Sequence, residues 1–142
     1  LFSTTACTRK ELPETRLEIK DFSAEWLVVN YWASWCKPCR IANPGLVSMY
    51  NKYKSKGLQI ISVSLDRDKN QWLQAINDDG LYWDAHVSNL MFWKDPIAVL
   101  YKVNAIPATF LLDENHRLIK EWRKVKVKGH AEEVLGFVSN LA

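Results

Sequence analysis

One stretch decides the fold of this chain: Trp32-Ala33-Ser34-Trp35-Cys36-Lys37-Pro38-Cys39-Arg40. The apolar run Trp26–Tyr31 comes before it and predicts a buried strand, and apolar residues at helical spacing follow it. A Cys-x-x-Cys pair at a strand-to-helix junction is typical of a redox site. Because a helix N-terminus has unpaired N–H groups and a partial positive charge, it favours a thiolate. We therefore expect Cys36 to be the exposed, reactive thiol and Cys39 to lie within disulfide reach.

Length and composition indicate one ordinary globular domain. The chain has 142 residues, of which 48% are hydrophobic and 25% charged, and its net charge is +3. This small charge, without any binding motif, gives no indication of a nucleic-acid partner. No apolar run approaches the ~18 residues that suggest a membrane-spanning helix. We therefore expect no membrane-spanning segment in this chain, and we expect the protein to be a monomer. Because the first residue is Leu1, we also expect a processed chain or an excised domain.

The pattern of strands and helices predicts an α/β fold with a mixed central sheet and helices on both faces. Residues 1–16 are polar and aperiodic and are interpreted as a tail or linker, which leaves 17–142 as the domain. The predicted strands are Leu17–Lys20, Trp26–Trp32, Leu58–Leu65, Thr109–Leu112 and Leu118–Trp122, with a further extended piece at His86–Leu90. The predicted helices run from Lys37 to Gly57, from a cap at Asp68 or Asn70 to Gly80, from Asp95-Pro96 onward, and over Ala131–Leu141.

Helical spacing also predicts which side chains of two helices face the core. The expected apolar positions are Ile41, Leu46, Met49, Tyr50 and Tyr53 in the first long helix, and Ile97, Leu100 and Val103 around the helix opened by Asp95. Pro44 lies inside the first of these helices, where it removes one backbone hydrogen bond and predicts a kink.

Three features together resemble the thioredoxin superfamily. They are the tryptophan-flanked Cys-x-Pro-Cys, the helix residue Pro44, and the later sequence Ile106-Pro107-Ala108-Thr109. The segment from Asp66 to Ile106 is longer than in plain thioredoxins and resembles the strand–helix insert of the TlpA/ResA-like branch. Tryparedoxin-like electron carriers share this longer insert and are the nearest alternative. The resemblance implies a three-layer sandwich with a mixed central sheet.

The same resemblance implies a function. It implies a thiol-disulfide oxidoreductase that reduces protein disulfides through a Cys36/Cys39 dithiol and is recycled by an upstream dithiol reductant. Its members are usually extracytoplasmic bacterial proteins, so we expect a periplasmic location and a membrane anchor in the full-length protein. No bound cofactor is implied, since the redox group is the Cys36–Cys39 disulfide itself.

The resemblance also assigns residues around the cysteines. Pro107 matches the family's cis proline, which faces the cysteines and presents the backbone of Ile106 to a substrate strand. Trp35 is expected to be partly exposed and to contact substrate, with Pro38 in the same loop. Lys37 adds a positive charge that favours the thiolate.

Three other tryptophans and a lysine-rich segment have competing interpretations. Trp32 is expected to pack in the core, whereas Trp83 and Trp93 lie in the insert, where they either pack or shape a docking surface. The three lysines of Lys124–Lys128 are expected to protect an edge strand rather than to bind an anionic partner. Cys7 is interpreted as a free thiol, with lipid attachment as the alternative.

The sequence departs from the family at two positions. Asn30 occupies the place of the buried aspartate of thioredoxins, and Ala42 that of a glutamate found in some TlpA/ResA-like reductases. Neither position can take the proton of the second thiol, so the sequence identifies no proton acceptor for Cys39.

Other classes of site remain open. A zinc site is disfavoured because His86, His116 and His130 lack ligand spacing and no second cysteine pair exists, so no metal is expected. A purely structural disulfide remains an alternative, although a disulfide that closes so short a loop adds little stability. A thiol peroxidase would carry a lone reactive cysteine, a copper carrier would need a histidine beside the pair, and a redox-inert binding domain would work without either cysteine.

Overall fold

The computed structural model describes residues 5–6, 23–123 and 137. The strands are β1 Thr5–Ala6, β2 Trp26–Trp32, β3 Leu58–Ser64, β4 Ala85–Ser88, β5 Ala108–Leu112 and β6 Leu118–Trp122. The α-helices are α1 Lys37–Tyr53, α2 Lys69–Asp78 and α3 Pro96–Leu100, with 3₁₀ turns at Lys54–Lys56 and Phe92–Lys94. Among these described helices, none is both long and apolar enough to cross a bilayer.

The strands form one mixed sheet in the order β1-β4-β3-β2-β5-β6. Strands β2, β3 and β4 run parallel to one another. Strand β5 runs antiparallel to β2, and β6 runs antiparallel to β5. Strand β2 lies between β3 and β5 and is buried from Leu27 to Trp32, which explains its unbroken apolar sequence. The mixed α/β architecture predicted from the sequence is confirmed. It places the carboxyl end of β2, and therefore the loop that carries the cysteines, beside the carboxyl end of β3.

Helix α1 begins at the predicted residue, and Leu46, Met49 and Tyr53 are buried as expected, but Ile41 is not part of the buried face. Its buried residues are Cys39, Ala42, Asn43, Leu46, Met49 and Tyr53, which recur at three- and four-residue spacing. The prediction that Ile41 faces the core is wrong, because its side chain is 58% exposed. The buried position of Cys39 sets the face that α1 turns inward, and Ile41, two residues further on, lies well away from that face.

The insert between Asp66 and Ile106 contains α2, β4 and α3. Asp68 caps α2 by accepting a hydrogen bond from the Gln71 N–H at 3.0 Å. Of the two predicted caps, Asp68 and Asn70, the structure therefore has Asp68. Asp95 caps α3, but this helix ends at Leu100, which is 67% exposed, so its predicted core position is wrong. The helix lasts only five residues and stops before Lys102, whose φ is +55°.

Several predictions concern residues at the two ends of the chain. Within the predicted tail, Thr5 and Ala6 form β1 and pair antiparallel with Ser88 and Val87 of β4. Phe137 is helical and its ring lies 5.7 Å from that of Trp122. The remaining predictions concern parts of the chain outside the described residues, namely the boundary at 16/17, Cys7, Leu17–Lys20, Lys124–Lys128 and the rest of Ala131–Leu141.

Two glycines with positive φ offer a direct comparison of backbone strain with side-chain crowding. Gly57 has φ +93°, and a Cβ there would lie 3.0 Å from Glu25 Cβ and Cγ, whereas Gly80 has φ +64° and open space around it. We expect Gly80→Ala to lower the free energy of unfolding by about 1 kcal/mol, the cost of a left-handed alanine. Gly57→Ala is expected to cost about twice as much, since Glu25 must also move.

Urea unfolding of both variants measures this difference. An equal loss of stability at the two sites would mean that Glu25 relaxes freely and that crowding at Gly57 contributes nothing.

Candidate redox site

A disulfide joins Cys36 to Cys39 across the first turn of α1, with their Cα atoms 5.2 Å apart. Cys36 is the N-cap residue of this helix and has extended backbone geometry, φ −86° and ψ 99°. Its Sγ accepts a hydrogen bond from the Cys39 N–H at 3.2 Å, so one of the unpaired donors of the helix N-terminus points at the sulfur. The predicted placement of both cysteines at the start of a helix is confirmed.

Cys36 is less exposed than the sequence suggested. The prediction of an exposed first cysteine is wrong, because only 5% of Cys36 and 1% of Cys39 are accessible. As the cap, Cys36 has its N–H bonded to Ala33 O at 3.1 Å, and its carbonyl accepts the Arg40 N–H at 3.0 Å. The neighbouring Trp35 is 45% exposed, so the cysteine lies at the edge of the surface while its neighbour projects from it.

The second predicted segment lies against the disulfide. The Ile106–Pro107 peptide bond is cis, as predicted, and Pro107 is buried while Ile106 is half-buried. Cys36 Sγ lies 3.8 Å from Ile106 O, although the two residues are 70 positions apart in the chain. The fold therefore brings the Cys-x-x-Cys loop and the cis-proline loop together.

Ser34, two residues before Cys36, is held from both sides. Its N–H donates to both carboxylate oxygens of Asp66 at 3.1 Å, and its hydroxyl also donates to Asp66 Oδ1. On the other side, its carbonyl accepts a hydrogen bond from Arg40 Nη1 at 3.1 Å. Ser64 Oγ donates to the second oxygen of Asp66 at 2.5 Å. These contacts fix the loop that leads into Cys36 to the end of β3.

Arg40 connects this loop to the insert. Its guanidinium binds Asp79 at two points, through Nε at 2.6 Å and Nη2 at 2.9 Å, and Asn43 Nδ2 donates to the same carboxylate at 2.7 Å. The hydrogen bond to Asp79 raises the pKa of Arg40 above its ordinary value, against a smaller opposing effect of burial. Because an arginine side chain is charged far beyond neutral pH even without such a partner, the pair keeps its cation throughout neutral and moderately alkaline pH.

Asp66 is a buried residue of the site that the sequence analysis does not identify. It is 1% exposed, and it immediately follows Leu65 at the carboxyl end of a parallel strand adjacent to β2. Polar residues at that edge of an α/β sheet frequently line the site, which is the signal that could have identified it. Asn30 and Ala42 are both buried, and Asn30 Oδ1 accepts a hydrogen bond from Thr109 Oγ1 at 3.2 Å. No carboxylate stands at either position.

The tryptophans divide between core and surface. Trp32 is fully buried, and Trp83 is 2% exposed and donates to Ser62 Oγ at 3.0 Å, so both pack inside the protein. Trp35, in contrast, contacts the insert: its ring lies 5.1 Å from that of Phe92 and 6.2 Å from that of Trp93. The prediction that Trp35 is partly exposed is confirmed.

The remaining predicted site residues lie in the same loop. Lys37 is exposed and Pro38 is half-buried within the first turn of α1. In the part of the chain that the structure describes, no group of three or more histidine, cysteine or acidic side chains could hold a metal ion.

Comparison with known proteins adds an independent line of support. A family model described as Thioredoxin-like matches residues 24–118. A thiol-disulfide oxidoreductase ResA of Bacillus thuringiensis is 31% identical over 125 residues, which cover 88% of this chain and 70% of that protein. A thiol-disulfide oxidoreductase from Bacteroides fragilis superposes with a TM-score of 0.78 at 26% identity, covering 99% of this chain and 96% of that one. The thioredoxin domain of a thiol-disulfide oxidoreductase from Bacteroides vulgatus gives a TM-score of 0.74 at 26% identity, covering 97% and 98%.

Proposed function

The chain belongs to the thioredoxin-like family, and from this membership we propose that it reduces disulfide bonds of partner proteins outside the bacterial cytoplasm. It is a thiol-disulfide oxidoreductase, the activity for which its ResA relative and the matched Bacteroides structures are named. One observation carries the proposed mechanism: the Cys36–Cys39 pair lies at the N-terminus of α1, with Ile106 O 3.8 Å from Cys36 Sγ.

Cys36 is the proposed attacking sulfur. In the reduced protein its thiolate attacks one sulfur of a substrate disulfide, and the substrate S–S bond breaks as the Cys36–substrate bond forms. The other substrate sulfur leaves as a thiolate and takes up a proton. The Cys39 N–H, 3.2 Å from Cys36 Sγ, supports the negative charge before attack. Cys39 is less accessible than Cys36 and cannot take this role as readily.

Cys39 completes the reaction. It loses its proton and attacks Cys36 Sγ, so that the mixed disulfide breaks and the second substrate sulfur is released. Two electrons pass from the dithiol to the substrate, and the Cys36–Cys39 disulfide is left behind. Its Cα–Cα separation of 5.2 Å allows this bond to form without movement of the helix.

The surroundings of Cys36 favour the reducing direction. Among the described residues its sulfur meets one donor, the Cys39 N–H, and one carbonyl acceptor, Ile106 O. The donor stabilises a thiolate, while the carbonyl dipole opposes it. Strong oxidants owe their potential to a stabilised reduced form, so a carbonyl that offsets part of the stabilisation given by the helix N-terminus suits a reductant.

The loop containing Pro107 is proposed to position the substrate. Ile106 is half-buried beside the sulfur, and its backbone can pair with an extended substrate segment in the manner of an added strand. Trp35 and Lys37 are the chain neighbours of Cys36, Pro38 follows in the first turn of α1, and all three would contact the incoming chain.

The other participants follow from this chemistry. No bound cofactor is required, because the two cysteines carry the electrons, and an upstream dithiol protein must reduce the pair again after each cycle. We place the protein in the periplasm or an equivalent extracytoplasmic compartment, with a membrane anchor in the full-length form. A persistent protein disulfide substrate is expected in such a compartment. The protein acts as a monomer, and no nucleic acid takes part.

Equilibration with glutathione buffers of known ratio tests the direction. We expect a reduction potential nearer the roughly −270 mV of reducing thioredoxins than the roughly −120 mV of strong periplasmic oxidants. The oxidised and reduced fractions are counted by mass after thiol alkylation, in a Cys7→Ser background so that only the pair is measured. A value near −120 mV would overturn the reductase proposal and indicate an oxidant.

A further inference from the structure

An exposed surface beside the disulfide combines aromatic, apolar and basic side chains. We call it the insert surface, and it consists of Trp35, Arg67, Met91, Phe92 and Lys94. Trp35 and Met91 are 45% and 46% exposed. The guanidinium of Arg67 lies 4.1 Å from the centre of the Phe92 ring, which in turn contacts Trp35. This surface therefore continues directly from the residue next to Cys36 into the insert.

The turn at residues 90–95, which carries this surface, has a strained backbone and is fixed at its end by hydrogen bonds to Asp95. Leu90 and Phe92 have φ values of +57° and +54°, in the left-handed region that bulky residues rarely adopt. Asp95, fully buried, accepts hydrogen bonds from Ile97 N–H, Ala98 N–H and Asn89 Nδ2. The backbone therefore holds this turn in place at a conformational cost, with Met91 exposed and Phe92 half-buried at the surface.

The cations of the insert surface are not neutralised within the described structure. Neither Arg67 nor Lys94 forms an ion pair with any residue of 23–123, whereas Arg40 is paired with Asp79. The nearby Asp68 already caps α2. Arg67 and Lys94 line a pocket of about 310 Å³ together with Leu90, Met91 and Phe92. An apolar wall with two unpaired cations is complementary to a carboxylate side chain.

From this complementarity we propose that the insert surface selects acidic substrates: it binds a cysteine-containing segment of a partner protein with an apolar residue beside the cysteine and a carboxylate nearby. The carboxylate occupies the pocket between Arg67 and Lys94, and the apolar residue packs against Trp35 and Phe92. This inference rests on the proposed reductase function, since the bound segment must present a disulfide sulfur to Cys36.

Two peptide disulfides test the proposal. Each is a symmetric disulfide of an eight-residue peptide with a single cysteine preceded by leucine, and its flanking residues are either two glutamates or two lysines. The pre-reduced protein is mixed with each peptide, and the second-order rate constant of thiol release is measured. We expect the wild type to reduce the glutamate peptide roughly tenfold faster than the lysine peptide, and the preference to shrink as salt is added.

Charge reversal provides the matched comparison. Arg67→Glu is expected to remove or reverse the preference, and Lys94→Glu to reduce it by a few-fold. Lys56→Glu makes the same change of charge beyond the opposite end of α1, and we expect it to keep the wild-type preference. A gain in rate for the lysine peptide with Arg67→Glu cannot arise from misfolding.

The outcomes separate the two proposals. If the wild type reduces both peptides equally, or if neither substitution changes the ratio of the two rate constants, the assignment of the insert surface is overturned while the reductase activity stands. If the wild type reduces neither of these peptides nor the neutral hydroxyethyl disulfide, the proposed function fails, and the inference with it.

Discussion

Replacing Cys36 by serine is expected to reduce the turnover of protein disulfides to background, a loss on the order of 10³-fold or more, because a serine hydroxyl is not ionised at neutral pH. Replacing Cys39 by serine is expected to have a different result. Cys36 still attacks, but no second thiol releases the substrate, so a covalent mixed disulfide accumulates. The difference arises from the geometry, in which Cys36 caps the helix and Cys39 is 1% exposed.

Intact-mass measurement after incubation with a disulfide substrate distinguishes these variants. All proteins carry Cys7→Ser, which removes the only other thiol in the chain. The Cys39→Ser protein should gain the mass of one substrate thiol, and dithiothreitol should remove it. An adduct on the Cys36→Ser protein, or turnover by that protein, would show that the order of attack is reversed.

Replacing Asp66 by alanine is expected to lower the free energy of unfolding by about 3 kcal/mol, which corresponds to a fall of roughly 10 °C in Tm. Asp66 is buried and accepts hydrogen bonds from the backbone and hydroxyl of Ser34 and from the hydroxyl of Ser64. Removing the carboxylate leaves these donors without their acceptor. Among the contacts of residues 23–123, the Ser34 backbone then keeps its hydrogen bond to Arg40, and the loop before Cys36 loosens.

This second prediction has a built-in control. Asp66→Asn keeps the size of the side chain and one acceptor oxygen, and we expect it to lose about half as much stability as the alanine variant. Thermal unfolding gives the stabilities, and the rate of hydroxyethyl disulfide reduction at 25 °C, where both variants are folded, reports the position of Cys36. If the alanine variant keeps the wild-type Tm, the contacts of Asp66 do not hold the loop.

Sequence reasoning succeeded where the signals are local. The placement of Cys36 at the start of a helix and the caps at Asp68 and Asp95 depend on residues no more than three positions away, and all three are found in the structure. The mixed sheet follows from the order of strands and helices, and the cis bond before Pro107 was implied by the family motif around it.

It was less successful where a residue's environment comes from distant parts of the chain. Ile41 was assigned to the core because it is apolar, yet the direction in which α1 faces the sheet leaves it 58% exposed. Cys36 was expected to be exposed because it begins a helix, yet the loop of Ile106, 70 positions away, packs beside its sulfur. Neither outcome can be obtained from residue type and spacing.

The sequence by itself determined the pair of cysteines, the helix that begins at Lys37 and the order of the strands, because capping, helical spacing and alternation act over a few residues. Only the tertiary structure decided what surrounds the sulfurs. Asp66 reaches Ser34 across 32 positions, and the insert brings Phe92 and Arg67 to Trp35. The physical reason is that such contacts depend on how helices and strands pack. Packing brings together residues that are far apart in the chain, and the sequence around each residue does not indicate its distant partner.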